Sequence, residues 1–478
     1  MAFRLALAVG WVYTLRAMAT ASPPATPNPT PGPPDPELQT AVQYLRAGWV
    51  DRAEPLFRAA QGRYGDRPDI LHYLAACLAQ RGEPAEAEAL WRKALAKDPN
   101  EPMLSYNLGL MARQLGRLDE AAKRFRDTIR RAPTHVEARL ALASLHLDQG
   151  RFAAAERELA EFTHNLDRAI QQPGGEVLKP LQARGRNMLG HALYRLGHYG
   201  PAIEVLDMAL QDVGDDAARR GQIMGDRALA LGGLNHHDEA IAEAERALAL
   251  APQSPSLNHV LGFILYFAGR PSDALVPIEK ALELDSSFAP ALKTLALART
   301  AAGQTDSAIE VLRQALRNNA SDRDAILQLS FLQIEHGRFA EALETLAPFL
   351  AGAPNDVRAL NNQGLALRGL KRQEEARRTL KRASRLAPDD PLVLTNLGTV
   401  LVDLGRATEA RALHEHALRS LPGDPRLLAN YGLCLAALGE RERARETLDA
   451  ALANDPGNME ALTARAALDA EPQASADK

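Results

Sequence analysis

The sequence predicts an all-α solenoid of about twelve helix–turn–helix units, on three observations. One pattern recurs every 34 residues over 323–458: Gly364, Gly398 and Gly432 keep step, as do Ala342, Ala376, Ala410 and Ala444, and then Pro354, Pro388, Pro422 and Pro456. With each unit numbered 1 to 34, position 20 is alanine in all twelve units, and position 8 is alanine, glycine or serine in every one. The last unit, PRLLANYGLCLAALGERERARETLDAALANDPGN, carries Leu428, Tyr431, Leu435 and Leu438 at helical spacing, and after a break at Gly439 repeats it with Ala444, Leu448, Ala451 and Leu452. A fixed period of this length marks units that bury their apolar faces on their neighbours. The small positions are where two antiparallel helices approach too closely for a larger side chain.

The period and the placing of small, large and proline positions closely resemble the tetratricopeptide repeat family. The resemblance implies a right-handed superhelix. Its first helices would line a concave face, with partner segments against positions 2, 5, 6, 9, 12 and 13 of each unit.

Composition narrows the function. The chain has 478 residues with 56 basic against 60 acidic, a net charge of −4, and lacks the basic stripe that DNA or RNA binding requires. What lies outside the units is too scattered to form a catalytic domain. No Gly-rich phosphate loop, nucleophile elbow or paired-cysteine motif appears, so no catalytic residue, cofactor or metal is expected. His414 and His416 are two apart and point to different sides of a helix, and His236-His237 falls in an inter-helix turn. Cys77 and Cys434 both fall at position 10, on the buried side of units ten apart; that separation excludes a disulfide and leaves two packed thiols.

In chain order, residues 1–21 (MAFRLALAVGWVYTLRAMATA) have the layout of a signal peptide: Arg4, an apolar run Leu5–Leu15, and small residues around Ala17, Ala19 and Ala21. The run is too short to span a bilayer. Arg16, directly after it, weakens the signal, and a cytoplasmic tail or a misplaced start is the other reading. Residues 22–36 hold eight prolines and form an extended spacer. Asp35 and Pro36 read as N-cap and first residue of the first helix. Units begin at 34, 68, 102 and 136, a first array over 34–169. Pro173-Gly174-Gly175 in 170–182 marks an insertion, a hinge or a plain longer loop. Units then begin at 183 and 221, with a slip of four residues placed in the turn after Asp215-Asp216, and keep phase to the end of a second array, 183–458. The tail 459–478 starts as a capping helix with Leu462 in an apolar position and Arg465 on a polar outer face, and ends in a disordered segment.

Binding residues are expected on the first helices of the second array. At position 6, Gln328, Asn362, Asn396 and Asn430 form a row of amides, each with a donor and an acceptor, which resembles the asparagine ladder of the repeat arm of O-linked N-acetylglucosamine transferases and could hold the backbone of an extended peptide. A merely solvated face explains the same row. Arg358, Arg368 and Arg426 flank it and suit a segment with acidic residues or a free carboxylate. The two-carboxylate clamp of chaperone-binding relatives is not carried over, since position 9 is apolar in Phe263, Phe331 and Leu365. His259, Phe263, Tyr266 and Phe267 form an aromatic patch, which either binds an apolar partner or fills the gap to the neighbouring helix.

The expected function is therefore a non-catalytic scaffold that binds protein segments. With a leader, exported members of the family imply a periplasmic role in assembling a bacterial cell-envelope machine such as a pilus, a secretion apparatus or a polysaccharide exporter. The alternative is a cytoplasmic targeting or regulatory subunit for a separate enzyme, such as a glycosyltransferase. Self-association is open.

Overall fold

The computed structural model describes residues 35–470. The leader, all but the end of the proline-rich segment, and the tail after Ala470 lie outside the described residues. Among the described residues, twenty-five α-helices run in pairs from Pro36–Arg46 and Val50–Tyr64 to Pro425–Ala437 and Arg441–Asn454, and Met459–Ala470 closes the series. Among the described residues there is no strand. The fold is an all-α repeat solenoid.

Many repeats are punctuated by the same local chemistry. Asp322, Asp356, Asp390 and Asp424, 34 residues apart, cap the helices that follow: Asp390 accepts from the backbone N–H of Leu392 (3.0 Å) and Val393 (3.2 Å). Asp35 caps Pro36–Arg46 in the same way through Glu37 N–H (2.9 Å). The first helix of each pair ends at position 15 with a left-handed residue, which lets the next N–H reach back to the carbonyl five residues earlier, as Arg406 does to Leu401 (2.8 Å). Ten of the twelve residues at position 15 are glycine; the others are Asn235 (φ 62°) and Lys371 (φ 61°). A lysine pays a steric cost of about 1–2 kcal/mol there, partly offset because glycine loses more entropy on folding. Lys371→Gly should therefore stabilise the protein by about 0.5–1 kcal/mol, read as a higher denaturation midpoint.

The alanine at position 20 is fully buried, 0% exposed in all twelve units. Position 8 faces the large residue at position 24 of its own pair. A Cβ on Gly262 would stand 2.3 Å from Ile278 Cγ1, and one on Gly398 would stand 2.6 Å from His414 Nε2. Trp91 and Phe125, both at 0% exposure, fill the same large position. Trp91 belongs to a core that includes Leu104 and Leu108 of the following repeat, so one side chain joins two units.

The chain divides into two compact units between Glu243 and Ala244, within helix His237–Leu250. Residues 170–182, read from sequence as a break between arrays, lie inside the first unit. Helix Phe152–Ile170 runs on for 19 residues, a 3-10 turn follows at Gly175–Leu178, and helix Lys179–Arg195 starts at once. Gln182 is 0% exposed and donates to Thr163 O (3.0 Å) and Asp167 Oδ1 (2.9 Å), which binds the insertion to the preceding helix. The slip of four residues at 217–220 is not in a turn. It is an additional helical turn at the start of Ala217–Gly233, capped by Asp216, and one turn of 3.6 residues leaves the packing face almost unrotated. In the last helix, Ala461, Ala464 and Leu468 are buried, whereas Leu462 is 41% and Met459 70% exposed; the outer face is thus less polar than the sequence suggested. Arg465 on that face pairs with Asp449 (2.8 Å) and with Asp469.

Candidate functional site

In the second unit, the first helices Pro255–Phe267, Ala289–Ala301, Arg323–Glu335, Val357–Gly369, Pro391–Asp403 and Pro425–Ala437 include every residue expected from the sequence to bind a partner. Side chains about 35 positions apart meet across neighbouring first helices, so these helices form one continuous face within that unit.

The aromatic residues come together. Phe263 and Phe267 are one turn apart with ring centroids 4.5 Å from each other, and Tyr266 meets Phe267 edge-on at 5.1 Å. His259 lies 5.9 Å from Phe263 and edge-on to Phe288 at 5.6 Å. Phe267 is 57% exposed, and Phe331, at position 9 two repeats on, is 46% exposed. Phe263 and Tyr266 are half-buried. Sequence reading passed over Phe288. Its signal was an aromatic residue directly before a first helix, where Asp322, Asp356 and Asp390 cap the later repeats. His259 is held from the side: its Nε2 lies 3.0 Å from Thr294 Oγ1, and because that hydroxyl donates to Pro290 O (3.0 Å), Nε2 must be the donor. Burial pushes the His259 pKa down to about 4, so the ring is neutral at pH 7.

The amide row is arranged differently from a freely presented ladder. Asn362 is 8% exposed and its Nδ2 donates to Ser330 Oγ (3.0 Å) and Leu327 O (3.3 Å) of the preceding repeat. Asn396 donates to Asn361 Oδ1 (2.8 Å), and Asn430 accepts from Thr399 Oγ1 (2.9 Å) while donating to Arg426 O (2.9 Å). Gln328 is half-buried, and its buried Oε1 has no protein hydrogen-bond partner. The amides join repeat to repeat because neighbouring first helices stand within reach of a short side chain. Arg368 is likewise engaged, 2.6 Å from Asp403 of the next repeat. Arg358 and Arg426 are exposed, and neither forms an ion pair among the described residues.

Of the remaining titratable candidates, His414 and the two cysteines are core residues. His414, at the large position 24, is 1% exposed with both ring nitrogens lacking a hydrogen-bond partner, and burial lowers its pKa to about 4. His416 pairs instead with Asp389 (3.1 Å). Burial pushes the Cys77 thiol up to about 12 and that of Cys434 up to about 11. Among the described residues no group of three His, Cys, Asp or Glu side chains is placed to hold a metal ion, and no helix is long and apolar enough to cross a membrane.

A tetratricopeptide repeat family model matches residues 44–108, 112–169, 299–366 and 401–468, and a second matches 222–254 and 357–390. The chain belongs to the tetratricopeptide repeat family. Tetratricopeptide repeat proteins bind protein partners, and the chain is a scaffold for protein–protein interaction; the repeat fold is generally non-catalytic. It is 25% identical over 222 residues to the TPR repeat-containing thioredoxin TTL4 of Arabidopsis thaliana, a match covering 44% of this chain and 32% of that protein. The chain thus spans about a third of that relative. Among solved structures, the APC/C hetero-tetramer Cut9-Hcn1 aligns with a TM-score of 0.46 at 15% identity, over 91% of this chain and 96% of that one. A tetratricopeptide repeat protein from Parabacteroides merdae aligns with a TM-score of 0.46 at 18% identity, over 52% and 98%.

Proposed function

We propose that the first-helix face of the second unit binds an apolar segment of a partner protein, anchored on Phe263, Tyr266 and Phe267, and that the chain does no chemistry of its own. The observation that carries this reading is the contiguous ring cluster ending in Phe267, more than half of which faces solvent. Aromatic side chains exposed in a cluster gain most when a partner covers them. Arg358 and Arg426, exposed and without carboxylate partners, favour a segment that also carries acidic groups. The amides contribute shape rather than a full set of donors, because Asn362 and Asn396 are engaged between repeats.

The setting we propose is the bacterial cell envelope, with the chain exported and acting in the assembly of a pilus, a secretion apparatus or a polysaccharide exporter. Its support is the leader-like composition of residues 1–21 and the role common among exported members of the family. Arg16 favours the second reading, a cytoplasmic targeting subunit for a separate enzyme.

The test is affinity capture from cross-linked cells with the wild-type chain and with Phe263→Ala/Phe267→Ala, sequencing the mature N-terminus of the bait. Truncating two anchor rings should weaken partner binding by about 2–4 kcal/mol, enough to empty the capture. Envelope proteins lost in the variant, with a bait beginning near Ser22, are the expected result. An unprocessed bait that holds a cytoplasmic enzyme equally well in both forms would overturn the face and the setting together.

A further inference from the structure

Helix Gln373–Leu386 differs from the other second helices in charge. Its sequence, QEEARRTLKRASRL, places Arg378, Lys381, Arg382 and Arg385 at i, i+3, i+4 and i+7, one stripe on the helix surface, and all four are exposed. Ala376, Leu380 and Ala383 hold the opposite stripe in the core. The nearby carboxylates are committed to other arginines: Glu374 to Arg377 (3.0 Å), Glu375 bidentately to Arg372 (2.7 and 2.8 Å), and Glu409 of the next repeat bidentately to Arg406 (2.6 and 2.7 Å). Arg382 donates to Asn355 Oδ1 (3.0 Å), a neutral acceptor. Among the described residues none of the four forms an ion pair.

The helix opens as several other second helices do, with a cation paired three residues on: Arg372–Glu375 (2.7 Å), like Arg117–Glu120 (3.0 Å) and Arg270–Asp273 (2.6 Å). Four cations at these spacings instead place like charges at i,i+3 and i,i+4, which opposes helix formation. Neighbouring second helices do not repeat the stripe: in the same register one exposes Glu344, Ala347 and Ala351, and the other exposes Ala412 and Glu415, with Arg419 alone continuing the column of Arg385. The result is a patch one helix wide and about 10 Å long.

We propose that this stripe is a docking surface for an acidic segment of a partner protein that brings carboxylates every three to four residues. It is separate from the aromatic cluster, being built on a second helix instead of the first helices. Guanidinium groups recognise carboxylates bidentately, and three of the four cations are arginine. The small size of the patch, the acidic pair Glu374 and Glu375 at its end and the net charge of −4 disfavour a nucleic-acid strand or an anionic membrane, both of which present charge over a longer track.

The probe is a fluorescein-labelled dodecapeptide with glutamate at every third and fourth position, followed by anisotropy with the full chain. Arg378→Glu/Arg382→Glu should weaken binding at least about tenfold, Arg378→Gln/Arg382→Gln less, and Lys123→Glu/Arg126→Glu, exposed on a second helix of the first unit, not at all. Affinity should fall about tenfold or more between roughly 50 and 300 mM salt. The reversal variant should melt no lower than wild type, since each new carboxylate stands three residues before a remaining cation, Lys381 or Arg385. Equal binding by the reversal variant and wild type, no binding by wild type, or tighter binding of phosphatidylserine vesicles or single-stranded DNA than of the peptide would each overturn the proposal.

Discussion

On acidification from pH 7 to pH 4, the repeats around His414 should lose about 3 kcal/mol of stability, and the His414→Leu protein should be spared that loss. Burial lowers the pKa of this histidine from 6.5 to about 4, and each unit is worth about 1.4 kcal/mol. Between those two values the unfolded chain takes up a proton that the folded one refuses, so stability is complete above pH 6.5, declines as pH falls through the window and reaches its floor below pH 4. Leucine fits the slot, because Leu380 lies over Gly364 and Leu448 over Gly432 just as His414 lies over Gly398. At pH 7 the variant should already be more stable, by about 1–2 kcal/mol, since two buried nitrogens without partners are removed. Denaturant midpoints measured across pH 4–8 would show two curves that diverge toward acid; parallel curves would contradict the assignment. His72 and His259, also lowered to about 4 by burial, leave a residual acid slope in both proteins.

Gly262→Val should destabilise the second unit by about 2–3 kcal/mol, despite the better helix propensity of valine. The new Cβ would stand 2.3 Å from Ile278 Cγ1 and 3.1 Å from Ala274 O, and the second of these is backbone that can yield only if a helix moves. Adding Ile278→Ala should restore part of the loss, giving a coupling energy of about 1 kcal/mol or more in a double-mutant cycle, whereas a purely intrinsic effect of valine would leave the two changes additive. The chemical denaturation of the four proteins decides between these outcomes.

The repeat frame was legible because it rests on local, periodic rules. Alanine at position 20, the small residue at position 8 and the glycine at position 15 report backbone approach and turn conformation, and these do not depend on distant parts of the chain. The helical extensions at Lys179 and Ala217 were not legible. A stretch of four polar and small residues such as AARR reads equally as loop or helix, and only the cap at Asp216 and the packing beneath decide. The aromatic cluster could be assembled from register alone, apart from Phe288, which comes from the inter-repeat turn. The amide row showed the limit most plainly. Asn362, Asn396 and Asn430 fall in the expected column, but whether an amide faces a ligand or a neighbouring helix depends on a separation of a few ångströms that no spacing encodes.

The left-handed residue that ends every first helix makes each of the twelve turns the same joint. A chain built this way has a natural unit of gain and loss. Excising the 34 residues between two regularly spaced joints, such as Gly405 and Gly439, leaves each surviving side chain opposite a neighbour of the kind it had before, with its alanine against a small residue and its polar groups against the preceding helix. Excising thirty would leave none of them so. The molecule can therefore change its length, and with it the number of places a partner can grip, by copying or dropping whole modules rather than by rebuilding its interior.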